Sequence, residues 1–299
     1  MTANQSLKRN HSDTLSGLIS ILVERYQPLQ IFEFGYVHSE RIISGCFSKE
    51  NSLHEHQYFL FMVTESNAKI VHEVQDYVNK HYSSGIVTIL CHGIENICDS
   101  IKKNSRFFIT LMNKGKLLYS KDGIAFVRSV PDYNFEKSLS TAQKQLAKRI
   151  PLITGFLSSA QNSIKQSEPE IATFLLHQSV EQCSIMLIQL ITGYRSELHS
   201  LRRQLELCNS FSTAPYGHFL TGGSEDKRLF DILSNSYSST RYKEDFTVSI
   251  SDAEALYVRV ASFYKMAQLM CDEQLSALGS ELDRYKDFQS NNPEDSWKS

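Results

Sequence analysis

The chain lacks a charge excess, a long apolar run, a paired-cysteine motif and the common catalytic signatures, and each absence removes a class of protein. Lys and Arg total 31 against 33 Asp and Glu, a net charge of −2. No broad basic surface, and hence no duplex-DNA partner, is expected from that balance. No apolar run approaches the roughly 18 residues of a membrane span. The closest, Cys183–Ile191, is interrupted by Gln189, so no membrane partner is expected. Lys8, Arg9, Asp13 and Glu24 break the apolar positions that a signal peptide would need. Six cysteines are scattered without a CxxC pair; they read as reduced core thiols of a cytoplasmic protein. There is no GxxxxGK[ST], GxGxxG, GxSxG or HExxH. What remains is 299 residues, 41% hydrophobic and 21% charged. That is enough for two cores, and wholesale disorder is excluded.

The texture changes near residue 135. Before it, short β-type runs alternate with helical stretches. Leu15, Leu18, Ile19 and Leu22 repeat at helical spacing until Pro28 stops the helix. Leu29-Gln-Ile-Phe-Glu-Phe34 alternates as a strand ending at Gly35, and Tyr58–Val63 and Ile86–Cys91 read as buried strands. Asn67 is the expected N-cap of a helix carrying Ile70, Val74 and Val78. A helix around Ile94–Ile101, the apolar run Phe107–Met112 and the run Leu117–Tyr119 complete an α/β layer.

Beyond residue 135 the β signals fade. Leu139, Ala142, Leu146, Ile153, Leu157, Ala160 and Ile164 mark one helix face, with a kink or restart expected at Pro151. Pro169 opens a helix to Gly193 that is apolar nearly all round, as a central bundle helix must be. Leu198, Leu201 and Leu205 mark the next helix, residues 208–224 read as a long loop, and Leu229, Ile232 and Leu233 give a short helix. Ser251-Asp-Ala-Glu has capping-box spacing ahead of a helix striped by Leu256, Val260, Phe263, Ala267 and Met270. The fold class is therefore α+β: an α/β domain over 1–135, an all-α up-down helical bundle over 136–285, and a polar tail over 286–299.

Three segments of the second half carry a resemblance. Phe174-Leu-Leu-His-Gln-Ser-Val-Glu181 precedes Thr192-Gly-Tyr-Arg-Ser-Glu-Leu-His-Ser-Leu201, and Asn235-Ser-Tyr-Ser-Ser-Thr-Arg-Tyr242 follows. In that order and spacing they resemble the HEPN domain (higher eukaryotes and prokaryotes nucleotide-binding). More loosely, Ile31-Phe-Glu-Phe-Gly35 and Phe107–Tyr119 make the first half similar to a nucleotidyltransferase-like domain. The resemblance covers about residues 28–270. It implies a two-layer α/β domain, a HEPN-like bundle, a nucleotide or RNA partner, and a homodimer formed through the bundle.

The residues that nucleotidyl transfer needs are missing. The reaction uses a Gly-Ser turn for the triphosphate and an Asp-x-Asp pair for Mg²⁺. Here Gly35 is followed by Tyr36, and the segment before the Tyr58 strand reads Leu53-His-Glu-His-Gln, with no Asp-x-Asp or Glu-x-Glu. This is read as a degenerate site of Gly35, Tyr36, His54 and His56, with no cofactor. A transition metal on His54, His56 and a nearby His92 is the rival; a solvated polar loop is the expectation, for want of a fourth ligand.

HEPN ribonucleases use Arg-x4–6-His for metal-free acid/base cleavage. Arg195 and His199 are separated by three residues, and no histidine follows Arg241. A ligand site of His177, Glu181, His199, Tyr237, Arg241 and Tyr242 remains, with Arg241 as a phosphate clamp. The same residues also suit a purely structural role, with His177 and Glu181 a buried pair setting bundle register. His11, His38, His72, His81 and His218 read as surface. The favoured function is non-catalytic nucleotide or RNA binding, or a regulatory role. The alternatives are a toxin–antitoxin-type enzyme and a structural dimeric assembly protein.

Overall fold

The computed structural model describes residues 3–45, 48–123, 133–242 and 245–291, with side chains except those of 3–14, 39–55 and 241–242. The chain divides into two compact units between Asp132 and Tyr133.

The first unit is a four-stranded mixed sheet flanked by helices. A helix α1 (Ala3–Tyr26) leads into the hairpin of β1 (Gln30–Gly45) and β2 (Ser48–Thr64). The helix α2 (Val71–His81), strand β3 (Ile86–Gly93), helices α3 (Ile94–Lys102) and α4 (Arg106–Lys114), and strand β4 (Lys116–Ser120) follow. The sheet order is β3-β2-β1-β4, with β3 parallel to β2 and the other pairs antiparallel. Alternation along β2 assigns its two faces. Tyr58, Leu60 and Met62 pack with Leu15, Leu18 and Leu22 of α1 and with Val74 and Val78 of α2. Phe61 turns the other way, against Phe107 and Phe108. Both faces are covered, which is why Tyr58–Val63 is apolar without a break.

Two expectations change here, the end of β1 and the role of Asn67, and two further features are settled by the packing. Strand β1 does not end at Gly35 but runs on to Gly45. Phe107–Met112 is helical, because Phe107, Phe108 and Leu111 share one buried helix face at spacings of three and four. Asn67 caps nothing; its side-chain amide donates to Glu95 at 3.0 Å, and α2 starts after Ile70 without a side-chain cap. β3 lies at the sheet edge, and buried Gln75 of α2 serves as its missing neighbour. Gln75 Nε2 donates to the Val87 carbonyl at 2.7 Å, and the Ile89 N–H donates to Gln75 Oε1 at 3.0 Å. A primary amide thus replaces a strand and closes the edge.

The second unit is helical. A helix α5 (Phe135–Lys165) is joined by three residues to α6 (Pro169–Thr192), followed by α7 (Leu201–Cys208), α8 (Ala214–Phe219), α9 (Ser224–Tyr242) and α10 (Ile250–Asn291). α5 is continuous through Pro151, so no restart occurs; the proline removes one N–H, and the Thr154 hydroxyl donates to the neighbouring Ile150 carbonyl at 3.0 Å. α6 is the central helix, with Leu176, Val180, Cys183, Leu187 and Ile188 fully buried. It ends at Gly193, whose φ of 79° gives the left-handed cap that glycine favours. By length and hydropathy α6 could cross a membrane, but 67% of its most apolar window is buried inside the bundle, as a core helix requires.

The supposed loop over 208–224 contains α8, and α9 is 19 residues long rather than short. The cap of α10 is Ser249, two residues before the expected Ser251: the Asp252 N–H donates to its hydroxyl at 3.1 Å. α10 continues to Asn291, into the segment expected as tail. The Cys183, Cys208 and Cys271 thiols are pushed up by burial, Cys271 to about 12, which leaves them unreactive.

Arg228 ties the first turns of α9 and α10 together, donating to Glu225 at 2.9 and 2.6 Å and to Asp252 at 3.1 and 2.6 Å. These hydrogen bonds hold both carboxyls below their ordinary range.

Two predictions follow from this packing. Gln75→Ala leaves two edge groups of β3 without partners and should lower the stability of the first unit by about 2–4 kcal/mol. A urea transition of that unit with an unmoved midpoint would refute the edge role. Carboxyls with depressed folded pKa values add stability above their unfolded pKa and lose it as pH falls through the folded one. The melting temperature of the second unit should therefore drop from about pH 5 to about pH 3. Arg228→Met should flatten that drop, and a superimposable acid profile would count against the clamp.

Candidate functional site

The site is built on one face of α6. A buried polar side chain on an apolar helix is costly without a partner, and His177 and Glu181, one turn apart, are the two largest on it that are buried. His177, 2% exposed, lies stacked on Tyr237 of α9 with ring centroids 5.2 Å apart and planes 22° apart. Phe174 stacks on the same tyrosine at 6.4 Å. Nearby, Ser236 donates to the Thr173 carbonyl at 3.3 Å, fastening α9 to α6. Glu181, 7% exposed, accepts from Nδ1 of His199 at 3.2 Å. The imidazole lies just before α7, on the exposed rim, while the carboxylate is in the wall.

Of the sequence-derived ligand set, the structure therefore joins His177 to Tyr237 and Glu181 to His199, as two neighbouring pairs along α6. It gives no contact between Tyr237 and His199. Arg241 and Tyr242 occupy the last turn of α9, one turn beyond Tyr237, but their side chains lie outside the described residues.

A basic residue joins this locus from α5. Arg149 Nη1 donates to Oε1 of Gln182, the residue after Glu181. Burial lowers its pKa, the guanidinium of Arg195 lowers it further, and the Glu181 carboxylate opposes both. Arg149 was not among the expected site residues, although the sequence carried a signal. It falls between Leu146 and Ile153 at i+3 and i+7, a charge set into an apolar stripe.

The degenerate site of the first unit takes a different form from the expected turn. Gly35 lies within β1, at a register shift where Glu33 faces Leu60 and Gly35 faces Phe59. The extra residue, Phe34, packs against Phe59 and Phe107, and the shift re-aims Tyr36 to stand by Tyr58 with centroids 4.9 Å apart. A Cβ on residue 35 would come within 3.1 Å of the Phe59 ring. The Tyr36 hydroxyl is hydrogen-bonded to Nδ1 of His56, and His38, opposite His56, packs on that imidazole at 4.6 Å. Burial, then Glu33, raises the Tyr36 pKa. His54 pairs with Glu40 in the ladder, and its side chain lies outside the described residues. His92 cannot join His56: it lies on the opposite face, stacked parallel to Phe61 at 5.7 Å. Among the described residues, no three His, Cys, Asp or Glu side chains gather as a metal site would need. His38, His72 and His81 are exposed. His218 is half-buried, hydrogen-bonded to the Arg259 carbonyl at 2.9 Å. The side chain of His11 lies outside the described residues.

An open groove of about 410 Å³ runs along another face of α9, lined by Asp231, Ile232, Asn235, Ser239, Asp245 and Phe246, with Arg228 at one end. Arg228 is already met by two carboxylates and Asp231 by Arg202 at 3.8 Å, so Arg228 is not a spare cation for an anion in the groove.

Compared with known proteins, residues 154–270 match the family model of the HEPN domain, and the second unit thus contains a HEPN domain. No curated protein matches the chain. Among solved structures, the chain is similar to a nucleotidyltransferase-like protein from Exiguobacterium sibiricum. The identity is 9%, with 87% of this chain and 78% of that chain covered, at a TM-score of 0.29. An overlay that loose supports no inference about arrangement or activity.

His177→Ala removes a buried ring together with its stack on Tyr237. The second unit should lose about 2–4 kcal/mol in chemical denaturation; a loss below about 1 kcal/mol would place the ring outside the packed core.

Proposed function

We propose that this protein binds a nucleotide or RNA through its HEPN domain without cleaving it, as a cytoplasmic homodimer formed by the helical unit, and serves a regulatory role. The first unit, on this reading, is a nucleotidyltransferase-like scaffold that has lost its chemistry. The observation that carries the proposal is the Glu181–His199 contact, 3.2 Å long, with exposed Arg195 four residues before the histidine. It supplies a rigid polar corner in the HEPN domain, yet the Arg-to-His spacing is one residue short of the ribonuclease pattern.

The same contact favours a second reading. A carboxylate holding one imidazole nitrogen while the ring is exposed is also how a general base is oriented. An RNA-cleaving enzyme of toxin–antitoxin type is therefore the alternative.

Calorimetric titration of the full chain with ATP, GTP and single-stranded RNA, followed by an RNA cleavage assay, separates the two. Binding without turnover is expected. Cleavage abolished by His199→Ala would establish the enzyme instead, and absence of any binding would leave the assembly role.

A further inference from the structure

We propose that Arg149, Arg195 and His199 form a subsite for the phosphate group of a phosphate ester, at the corner where α5, α6 and the segment before α7 meet. The proposal rests on the reading above that the HEPN domain takes a nucleotide or RNA. It adds a residue outside the matched segment, since Arg149 precedes residue 154.

Geometry supplies the first support. Arg149 and His199 are anchored at successive residues of α6, one to Gln182 and the other to Glu181. Arg195 lies on the same connecting segment as His199, four residues earlier, and both are exposed. Two nitrogen-bearing side chains from two directions thus meet at one corner of α6, and the charge of Arg195 is felt by Arg149 there.

Charge supplies the second. Among the described residues neither Arg149 nor Arg195 has a carboxylate within salt-bridge distance; Arg149 is paired with a neutral amide instead. Two guanidiniums that feel each other's repulsion are kept together, one of them half-buried. Among the described residues, the carboxylate acting on Arg149 is that of Glu181, which is also the partner of His199. Two permanent cations and an imidazole gather beside Glu181, with Glu197 exposed between Arg195 and His199 on the same segment. A phosphate would relieve that repulsion and accept from a planar guanidinium fork in bidentate geometry. Glu181, recessed in the wall, turns the imidazole toward the rim and is kept from the anion by it.

The test titrates the full chain, wild type, Arg149→Ala and Arg195→Ala, with inorganic pyrophosphate, ATP and a fluorescein-labelled single-stranded RNA. Circular dichroism checks that each variant is folded. Pyrophosphate should bind the wild type, and each substitution should weaken it about tenfold or more. The ATP and RNA arms identify the source of the phosphate by which of them weakens in parallel. Should Arg149→Ala fail to fold, the exposed Arg195→Ala decides alone. If ATP or RNA binds both variants as it binds the wild type, the functional reading survives and this subsite is overturned. If pyrophosphate binding is lost in the variants while neither ATP nor RNA binds the wild type, the subsite stands and the functional reading falls. Wild type that ignores pyrophosphate overturns the subsite.

Discussion

A helix that is apolar on nearly every side cannot face water, and the second unit is arranged around that constraint. α6 is surrounded by α5, α7, α9 and α10, and its fully buried Leu176, Val180, Leu187 and Ile188 each carry about 1.5–3 kcal/mol of burial. Two of its short polar side chains are dealt with locally: the Thr173 hydroxyl donates to the Pro169 carbonyl at 2.8 Å, and Ser179 to the Leu175 carbonyl at 3.2 Å. His177 meets the side-chain amide of its neighbour Gln178 at 3.3 Å, whereas the Glu181 carboxylate, which only accepts, cannot bond a helix carbonyl. His177 also stacks across to Tyr237 of α9, and Glu181 reaches His199 on the approach to α7. The structural demand and the candidate site are thus the same fact seen from two sides. The pairing that lets a polar group sit on the central helix also fixes an aromatic ring and an imidazole at its edge.

This bears on how much could be read from residues alone. Buried strands and central helix were legible because their signals are dense: Tyr58–Val63 and Pro169–Thr192 leave few choices of environment. The misreadings fall where a tertiary partner decides. Phe107–Met112 has strand-like composition, yet its apolar residues cover one helix face. Asn67 looked like a cap by type, but Glu95, 28 residues away, takes its amide. Pro151 promised an interruption, and the packing of Leu146 and Ile153 on either side keeps α5 whole. The site was legible by halves. His177 and Glu181 announced themselves as polar residues in an apolar helix, and His199 by its motif. The pairing of each with its partner depends on α6 meeting α9 and α7, which spacing cannot encode.

In the first unit, one inserted residue separates this sheet from the nucleotide-cradling turn that its sequence suggested. A turn binds a triphosphate because its backbone N–H groups are free to point at the phosphates. Where β1 runs through residues 35 and 36, those residues pair with Phe59 and Tyr58 of β2, and the ladder continues to Gly45. Along an extended strand successive N–H groups point to opposite sides, so they do not converge on an anion as those of a turn do. The bulge at Phe34 explains why a glycine nevertheless sits there: the Phe59 ring approaches the chain so closely that a Cβ would meet it at 3.1 Å. Gly35 therefore answers to packing, and Tyr36 is turned toward His56 and the aromatic face of the sheet. Restoring a serine after this glycine would not restore a phosphate cradle, because the chain runs on as an extended strand and not as a turn.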